Sequence, residues 1–112
     1  MKKTKFNNVK SGGYDSKKEK KRATELRLLE KAGEIYNLKE QVPFELIPAQ
    51  YEQYGKERRC VERACRYIAD FVYEENGYTV VEDTKSPITR TTAYIIKRKL
   101  MLQIYGIKIK EV

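Results

Sequence analysis

The chain has 112 residues, a length that fits a single domain with a modest core. It contains no histidine, which excludes histidine-ligated zinc enzymes and hydrolases built on an imidazole base, so any catalysis must use carboxylates, lysine, tyrosine or a bound metal. The net charge is +8, and the first 22 residues carry +7 of it. This predicts either a polyanionic partner, of which nucleic acid is the first candidate, or a solvated tail.

The chain begins with a polar stretch, residues 1–13, rich in lysine, asparagine and glycine. This composition predicts a flexible basic arm in front of a single domain of residues 14–112. No apolar run is long enough to span a bilayer and no signal-peptide pattern is present, so we expect a soluble intracellular protein. Cys60 and Cys65 are then expected to be reduced and structural.

The first regular element is a helix, predicted over residues 16–32. Ser16 followed by Glu19 forms a capping-box pattern, and Gly33 provides a stop signal. Apolar residues recur at helical spacing between these two ends. The expected core-facing residues are Ala23, Leu26 and Leu29, and Leu28 and Ala32 lie on the flank of the same stripe.

A long hairpin is predicted next. Residues 35–49 are apolar-rich but contain Pro43 and Pro48, which indicates a strand at a sheet edge or with a bulge, because proline cannot donate to a ladder. The polar segment 51–59 has Gly55 at its centre and is typical of a hairpin tip.

The return strand is predicted at about residues 62–74. Asn76 and Gly77 follow it, and this pair is the favoured turn of a tight hairpin. A third strand is therefore predicted over residues 78–85, antiparallel to the second.

A second helix is predicted from Thr89 or Thr91 to Tyr105, and a final strand over residues 107–112. The expected apolar stripe of this helix consists of Ala93, Ile96, Leu100 and Ile104. The order is helix, three strands, helix, strand, in which the second helix crosses over to bring the last strand into the sheet. The predicted fold class is α/β, αβββαβ, with a mixed central sheet flanked by helices.

Two acids lie where a core would be expected. Glu19 shares the core-facing stripe of the first helix with Ala23 and Leu26, so it needs a partner or a cation, unless it only caps the helix. Asp70 interrupts the apolar run of the second strand, where aspartate is disfavoured. The alternative for Asp70 is that its face of the strand meets solvent.

The third strand ends in a mixed pair of charges. Asp83 and Lys85 point to one face of a strand, whereas Glu82 points to the other and is expected to be a surface or supporting residue. An exposed ion pair of this kind contributes under about 1 kcal/mol, and that remains an alternative.

The turn between the two strands brings the acids together. Asp70 is seven residues before Gly77 and Asp83 is six after it, so antiparallel pairing places them close across the strands. Oxygen ligands from adjacent elements suit Mg²⁺, which takes one or two carboxylates and fills its shell with water and phosphate oxygen. Lys85 at the same place could act on the attacking water or stabilise charge on the phosphate.

This ordered set, a helix Glu19, then Asp70, then Asp83-Thr84-Lys85, resembles the PD-(D/E)XK nuclease superfamily. More narrowly, the chain is similar to a small family of phage and prophage proteins placed in that superfamily. The stretches that carry the resemblance are YDSKKEKKR at 14–22, GEIYNLKEQVPFEL at 33–46, YIADF at 67–71, VVEDTK at 80–85 and YGIKIKEV at 105–112.

The resemblance implies a restriction-endonuclease-like core and hydrolysis of DNA phosphodiesters with Mg²⁺ or Mn²⁺. It implies that Glu19, Asp70 and Asp83 bind the metal, with the carbonyl of Thr84 as a further ligand, and that Lys85 acts on the water or the scissile phosphate. Supporting positions that match the pattern are Gln41, Tyr94 and Lys97. The chain departs from the pattern at Ala69, in place of a proline, and at Ser86, in place of a glycine.

The implied partner is double-stranded or branched DNA, and the implied form is a homodimer in which two sites cut two strands. A Holliday-junction resolvase encoded by a phage or prophage, acting in the bacterial cytoplasm, is the role the resemblance favours. The alternatives are a restriction or repair nuclease on linear duplex and a non-catalytic DNA-binding protein that kept the fold. The segment 51–66 is rich in arginine and is interpreted as a DNA-facing or dimer-forming hairpin. The basic residues assigned to DNA contact are Lys17, Lys18, Lys20, Lys21, Arg22, Arg58 and Arg59.

Overall fold

The computed structural model describes residues 16–112. The predicted arm of residues 1–13 lies outside the described residues. The elements are α1 (Lys17–Lys31), β1 (Tyr36–Ile47), β2 (Gln50–Tyr54), β3 (Glu57–Glu62), β4 (Cys65–Glu75), β5 (Tyr78–Asp83), α2 (Thr92–Tyr105) and β6 (Lys110–Glu111). The chain is mixed α/β, with two helices against a mixed central sheet. No helix in this part of the chain is long and apolar enough to cross a membrane.

The first helix begins and ends where its sequence signals lie. The Ser16 hydroxyl accepts from the backbone N–H of Glu19 at 3.1 Å, which satisfies one of the free donors at the helix start. Gly33, with φ of 79°, follows the last turn. The buried stripe is narrower than predicted: Ala23 and Leu26 are fully buried, whereas Leu28 is 63% exposed.

The central sheet has the order β1-β4-β5-β6. β1 lies at one edge, as Pro43 within it and Pro48 just after it predict, and it is irregular, with register shifts at both ends. Asn76 and Gly77 both have positive φ, at 51° and 82°, which is the conformation of the tight turn that joins β4 to β5. The crossover through α2 places β6 parallel to β5, with Glu82 opposite Lys110. The last strand is shorter than predicted, because only Lys110–Glu111 pair.

The predicted hairpin tip is an element of its own. β2 and β3 form a separate two-stranded sheet between β1 and β4, with Gly55 in its turn. Every residue of both strands is exposed. We refer to residues 50–62 as the ribbon.

The two helices cover opposite faces of β5. Val80 packs with the cluster of α1, whereas Val81 belongs to the cluster of α2, and successive strand residues face opposite sides. The cluster of α2 contains Tyr94 and Met101.

The predicted apolar stripe of α2 is therefore wrong. Ile96 and Ile104 are 53% and 46% exposed, Ala93 is exposed too, and only Leu100 of the four packs against the core, partly buried. The helix is apolar on several sides, so periodicity alone does not define which side packs. Tyr94 turns inward because its hydroxyl finds a carboxylate partner there.

Candidate active site

Asp70 and Asp83 lie side by side on neighbouring strands. Phe71 of β4 pairs with Glu82 of β5, so the next position along each strand brings Asp70 to Asp83. The two carboxyl groups act on each other's charge, and Asp70 raises the pKa of Asp83. Thr84 orients Asp70, because its backbone N–H and its hydroxyl donate to Asp70 Oδ2 at 2.9 and 2.7 Å.

Asp83 is a buried acid in an environment that opposes its charge. It is 3% exposed. The Tyr67 hydroxyl donates to its Oδ2 at 2.7 Å, and Lys85 Nζ lies 3.4 Å from the same atom. The pKa of Asp83 is raised to about 7, mainly by burial and then by the neighbouring Asp70, whereas Tyr67 and Lys85 lower it. A shared proton or a bound cation would relieve the repulsion between the two carboxyl groups.

Lys85 is held by an aromatic ring as well as by its acid. Its Nζ lies 4.2 Å from the centroid of the Tyr94 ring, at cation–π distance. The Tyr94 hydroxyl donates to Glu111 at 2.7 Å, and that carboxylate also binds Arg90 and Arg98, at 3.0 and 2.9 Å. The C-terminal strand therefore fixes the ring on which the lysine rests.

Glu19 approaches the pair from the first helix. It is 5% exposed, and its Oε2 accepts from Gln41 Nε2 at 3.1 Å. The same amide nitrogen lies 3.4 Å from Asp70 Oδ1, so Gln41 bridges two of the acids. Its φ of 54° is uncommon for a residue with a side chain and is the kind of local strain found at functional sites.

These side chains line two adjoining clefts. One, of about 220 Å³, is bordered by Glu19, and the other, of about 350 Å³, is bordered by Gln41 and Lys97. Asp70, Asp83 and Lys85 line both. The structure therefore brings together every residue of the predicted constellation, including Thr84 and Tyr94.

The donor set fits a hard divalent cation. Within residues 16–112, no group of three or more histidine, cysteine, aspartate or glutamate side chains is placed to hold a metal ion. Asp70 and Asp83 nevertheless offer two neighbouring carboxylates on the wall of the same cleft, and Mg²⁺ is held by one or two carboxylates with water and phosphate completing its shell. A bound cation would offset the effect of Asp70 on the pKa of Asp83.

The other face of β5 carries a buried ion pair. The sequence predicts that Glu82 is a surface or supporting residue, and because it is fully buried the surface alternative is wrong. Arg22 of α1 binds it with two hydrogen bonds, Nε to Oε1 at 2.8 Å and a terminal nitrogen to Oε2 at 2.7 Å. Tyr73 also donates to Oε2, and Lys110 Nζ lies 3.8 Å away. Burial alone would raise the pKa of Glu82, but the bonds from Arg22 and Tyr73 outweigh it and lower the pKa.

The remaining basic residues of the prediction differ in their surroundings. Lys18 Nζ donates to the backbone carbonyl of Lys85 at 2.8 Å, which joins α1 to the site. The other lysines of this set are exposed on α1, and two arginines lie on the ribbon. Arg22 forms an ion pair with Glu82, so its position does not support a contact with DNA, and that contact stays a prediction. Like Lys18, the other exposed members are Lys17, Lys20, Lys21, Arg58 and Arg59.

Sequence reasoning missed two residues at the site. The alternation along β4 predicts that Tyr67 is a core residue, and nothing in the sequence indicates that its hydroxyl donates to Asp83. Glu111 lies in the last strand, and the sequence alone suggests a solvated charge, yet it binds the helix that supports Lys85. The parallel pairing of Asp83 with Glu111 is the one signal that could have suggested it.

The raised pKa of Asp83 predicts how stability depends on pH. Asp83 binds a proton up to about pH 7 when folded and up to about pH 3.8 when unfolded. The folded state binds more protons between these values, so the free energy of unfolding of the metal-free protein falls as pH rises from about 4 to 7. We expect thermal melts in a chelator to give a lower Tm at pH 7.5 than at pH 5. Asp83→Asn should remove this decline; an unchanged decline in that variant would contradict the assignment.

Comparison with known protein families gives a match over most of the chain. A family model described as a protein of unknown function (DUF1064) matches residues 1–111, almost the full chain. No curated protein and no solved structure matches the chain.

Proposed function

We propose that this chain, which belongs to the DUF1064 family of proteins of unknown function, is a metal-dependent DNA endonuclease. The observation that carries the proposal is that Asp70, Asp83 and Lys85 line the same two clefts, with Glu19 and Gln41 at their borders. Two carboxylates with an adjacent lysine on the wall of a cleft can support metal-dependent hydrolysis of a phosphodiester in a chain without histidine.

The proposal includes a restriction-endonuclease-like core. The order of elements around the site supports it: α1, an edge strand, a hairpin whose second strand ends in the acid and lysine, a crossover helix and a parallel last strand. The ribbon is an insertion between the first two strands of that order.

Asp70 and Asp83 would hold the metal, with Glu19 reaching it through the same cleft. A bound Mg²⁺ or Mn²⁺ would supply Lewis-acid stabilisation of the phosphate and a water of lowered pKa. Thr84 keeps Asp70 in position through two hydrogen bonds, and Tyr67 does the same for Asp83. Because both acids are fixed before substrate arrives, little reorganisation is needed at the moment of reaction.

Lys85 would act on the reacting phosphate. Its ammonium group lies 3.4 Å from Asp83 Oδ2 and 4.2 Å above the Tyr94 ring, and its side chain is 16% exposed. From this position it can orient the attacking water against the carboxylate and stabilise charge that develops on the phosphate oxygens. Lys97, on the wall of the larger cleft, would contact a neighbouring phosphate.

Branched DNA is the proposed substrate, in the manner of a Holliday-junction resolvase, and a homodimer is the proposed working form. The described part of the chain is small, and α1, beside the cleft, carries the exposed lysines Lys17, Lys20 and Lys21. Lysine contacts of this kind are made to the phosphate backbone, so they depend on the shape of the DNA more than on its sequence.

A cleavage panel tests the proposal. Purified protein is incubated with a four-way junction, a nicked duplex and a matched linear duplex, in Mg²⁺, in Mn²⁺ and in a chelator. We expect cleavage that requires the metal and favours the junction. Equal or faster cleavage of the linear duplex would replace the junction role by a restriction or repair role, and no cleavage of any substrate with either metal would overturn the nuclease proposal.

A further inference from the structure

The ribbon projects from the body of the protein without a core of its own. All residues of β2 and β3 are exposed. The radius of gyration is 17.2 Å, against about 13 Å for a compact domain of about 100 residues. An isolated two-stranded ribbon is marginally stable in water, so a surface of this kind is retained for what it contacts.

The two faces of the ribbon differ in chemistry. Residues directly opposite each other in an antiparallel pair share a face. Glu52 pairs with Arg59 and Tyr54 with Glu57, and these four residues form one face, the acid-paired face. The other face, the open face, pairs Tyr51 with Cys60 and Gln53 with Arg58.

On the acid-paired face the charges neutralise one another. Arg59 binds Glu57 at 2.7 Å and lies over the Tyr54 ring at 4.6 Å. The Tyr54 hydroxyl donates to Glu52 at 2.6 Å, and this bond raises the pKa of Tyr54. With two acids and one arginine, the face has a net charge of −1 and repels a polyanion.

Arg58, the arginine of the open face, has no carboxylate partner among the described residues. The Arg58 guanidinium stacks on the Tyr51 ring at 3.8 Å, and within residues 16–112 no carboxylate lies within ion-pair distance of it. Stacking leaves the N–H edge of the guanidinium free for a bidentate contact, which phosphate oxygens accept. The face has a net charge of +1, and Arg63 and Arg66 follow at the base of the ribbon, both exposed.

We propose that the open face of the ribbon, through Arg58 stacked on Tyr51, contacts the phosphate backbone of the DNA substrate, and that the acid-paired face points away from it. This inference rests on the proposed function for the identity of the nucleic acid. It separates two neighbouring arginines that the sequence treats alike, because Arg58 carries an uncompensated charge and Arg59 does not.

Arg58→Ala and Arg59→Ala form a matched pair for the test. Both remove one arginine from an exposed strand position, one residue apart. Binding of a fluorescent four-way junction is measured by anisotropy with Ca²⁺ in place of Mg²⁺, so that cleavage does not interfere, over a range of salt concentrations. Thermal melts check that both variants stay folded.

We expect Arg58→Ala to weaken binding about tenfold and to reduce the salt dependence by about one phosphate contact. Arg59→Ala should stay within about twofold of wild type. Tyr51→Leu should also weaken DNA binding, as Arg58→Ala does, because the tyrosine ring orients the guanidinium.

Equal effects of the two arginine variants would overturn the inference, and so would a wild-type protein that binds no DNA. A change of oligomeric mass in Arg58→Ala, with unchanged affinity per protomer, would overturn it in favour of a subunit contact. Wild-type protein that binds junctions with this asymmetry but cuts nothing would support the ribbon surface and overturn only the nuclease proposal.

Discussion

Asp83→Asn is expected to abolish metal-dependent cleavage, with a loss of at least about 10³-fold in kcat. The amide keeps the size of the side chain and its bond from Tyr67, but it removes the charge that holds a cation beside Asp70. The fold should persist, because the substitution relieves a buried like-charge contact. The measurement is the rate of junction cleavage at saturating Mg²⁺, together with a thermal melt.

The exposed acid Glu57 provides the control for this change. It lies on the ribbon and is 64% exposed, so Glu57→Gln should leave the rate within about threefold of wild type. More than a tenth of wild-type activity in Asp83→Asn would contradict the assigned role.

Lys85→Met separates metal binding from the reaction itself. The lysine is expected to act on the water or the phosphate, so its loss should lower kcat by about 10²- to 10³-fold. Metal binding should be retained, because Asp70 and Asp83 are unchanged. If Lys85→Met and Asp83→Asn lose metal binding equally, the lysine is only a structural partner of the acid.

Arg22→Ala is expected to produce a large loss of stability. Glu82 has no exposure to solvent, and Arg22 supplies two of its hydrogen bonds. Removing one partner of a buried pair leaves an uncompensated charge and costs about 3–5 kcal/mol. For a domain of this size the Tm should fall by more than about 10 °C.

Arg27→Ala is the matched control on the same helix. Arg27 also binds a strand carboxylate, Glu40, at 2.8 Å, but its side chain is 52% exposed. Exposed pairs contribute about 0–1 kcal/mol, so the control should lose only a few degrees. The double variant Arg22→Met, Glu82→Leu should recover much of the loss, since no buried charge then remains unpaired. Equal losses in Arg22→Ala and Arg27→Ala would show that Glu82 is solvated in the folded protein.

The central pairing of the site could be predicted because a tight turn fixes strand register. Asn76 and Gly77 adopt the left-handed conformations that a two-residue hairpin requires, and counting from them brings Asp70 to Asp83. The helix limits were predictable for a similar reason. The caps at Ser16 and Gly106 are local features, and their chemistry does not depend on the rest of the fold.

The sequence could not show which helix covers which surface. Glu82 reads as an exposed acid until α1 places Arg22 over it, and the two residues are sixty positions apart. In α2, several apolar registers are equally regular, and the choice among them depends on Tyr94 meeting Glu111. Long-range partners of this kind leave no periodic trace.

The ribbon shows the same limit in another form. Gly55 and the polar composition predict its tip, but they do not predict that the strands divide into two separate sheets. Pro48 lies between β1 and β2, where it cannot continue the ladder, and this is the local reason for the break. The difference between its two faces depends on cross-strand register, which the sequence alone does not give.

Binding of Mn²⁺ tests the central claim, that Asp70 and Asp83 form a cation site, most directly. Calorimetric titration of Mn²⁺ at pH 7.5 is compared among wild type, Asp70→Asn, Asp83→Asn and the control Glu52→Gln. We predict saturable binding by wild type and by the control, and affinity at least about tenfold weaker in each aspartate variant. Wild-type protein that does not bind Mn²⁺, or an Asp83→Asn variant that binds it as tightly as wild type, would contradict the claim.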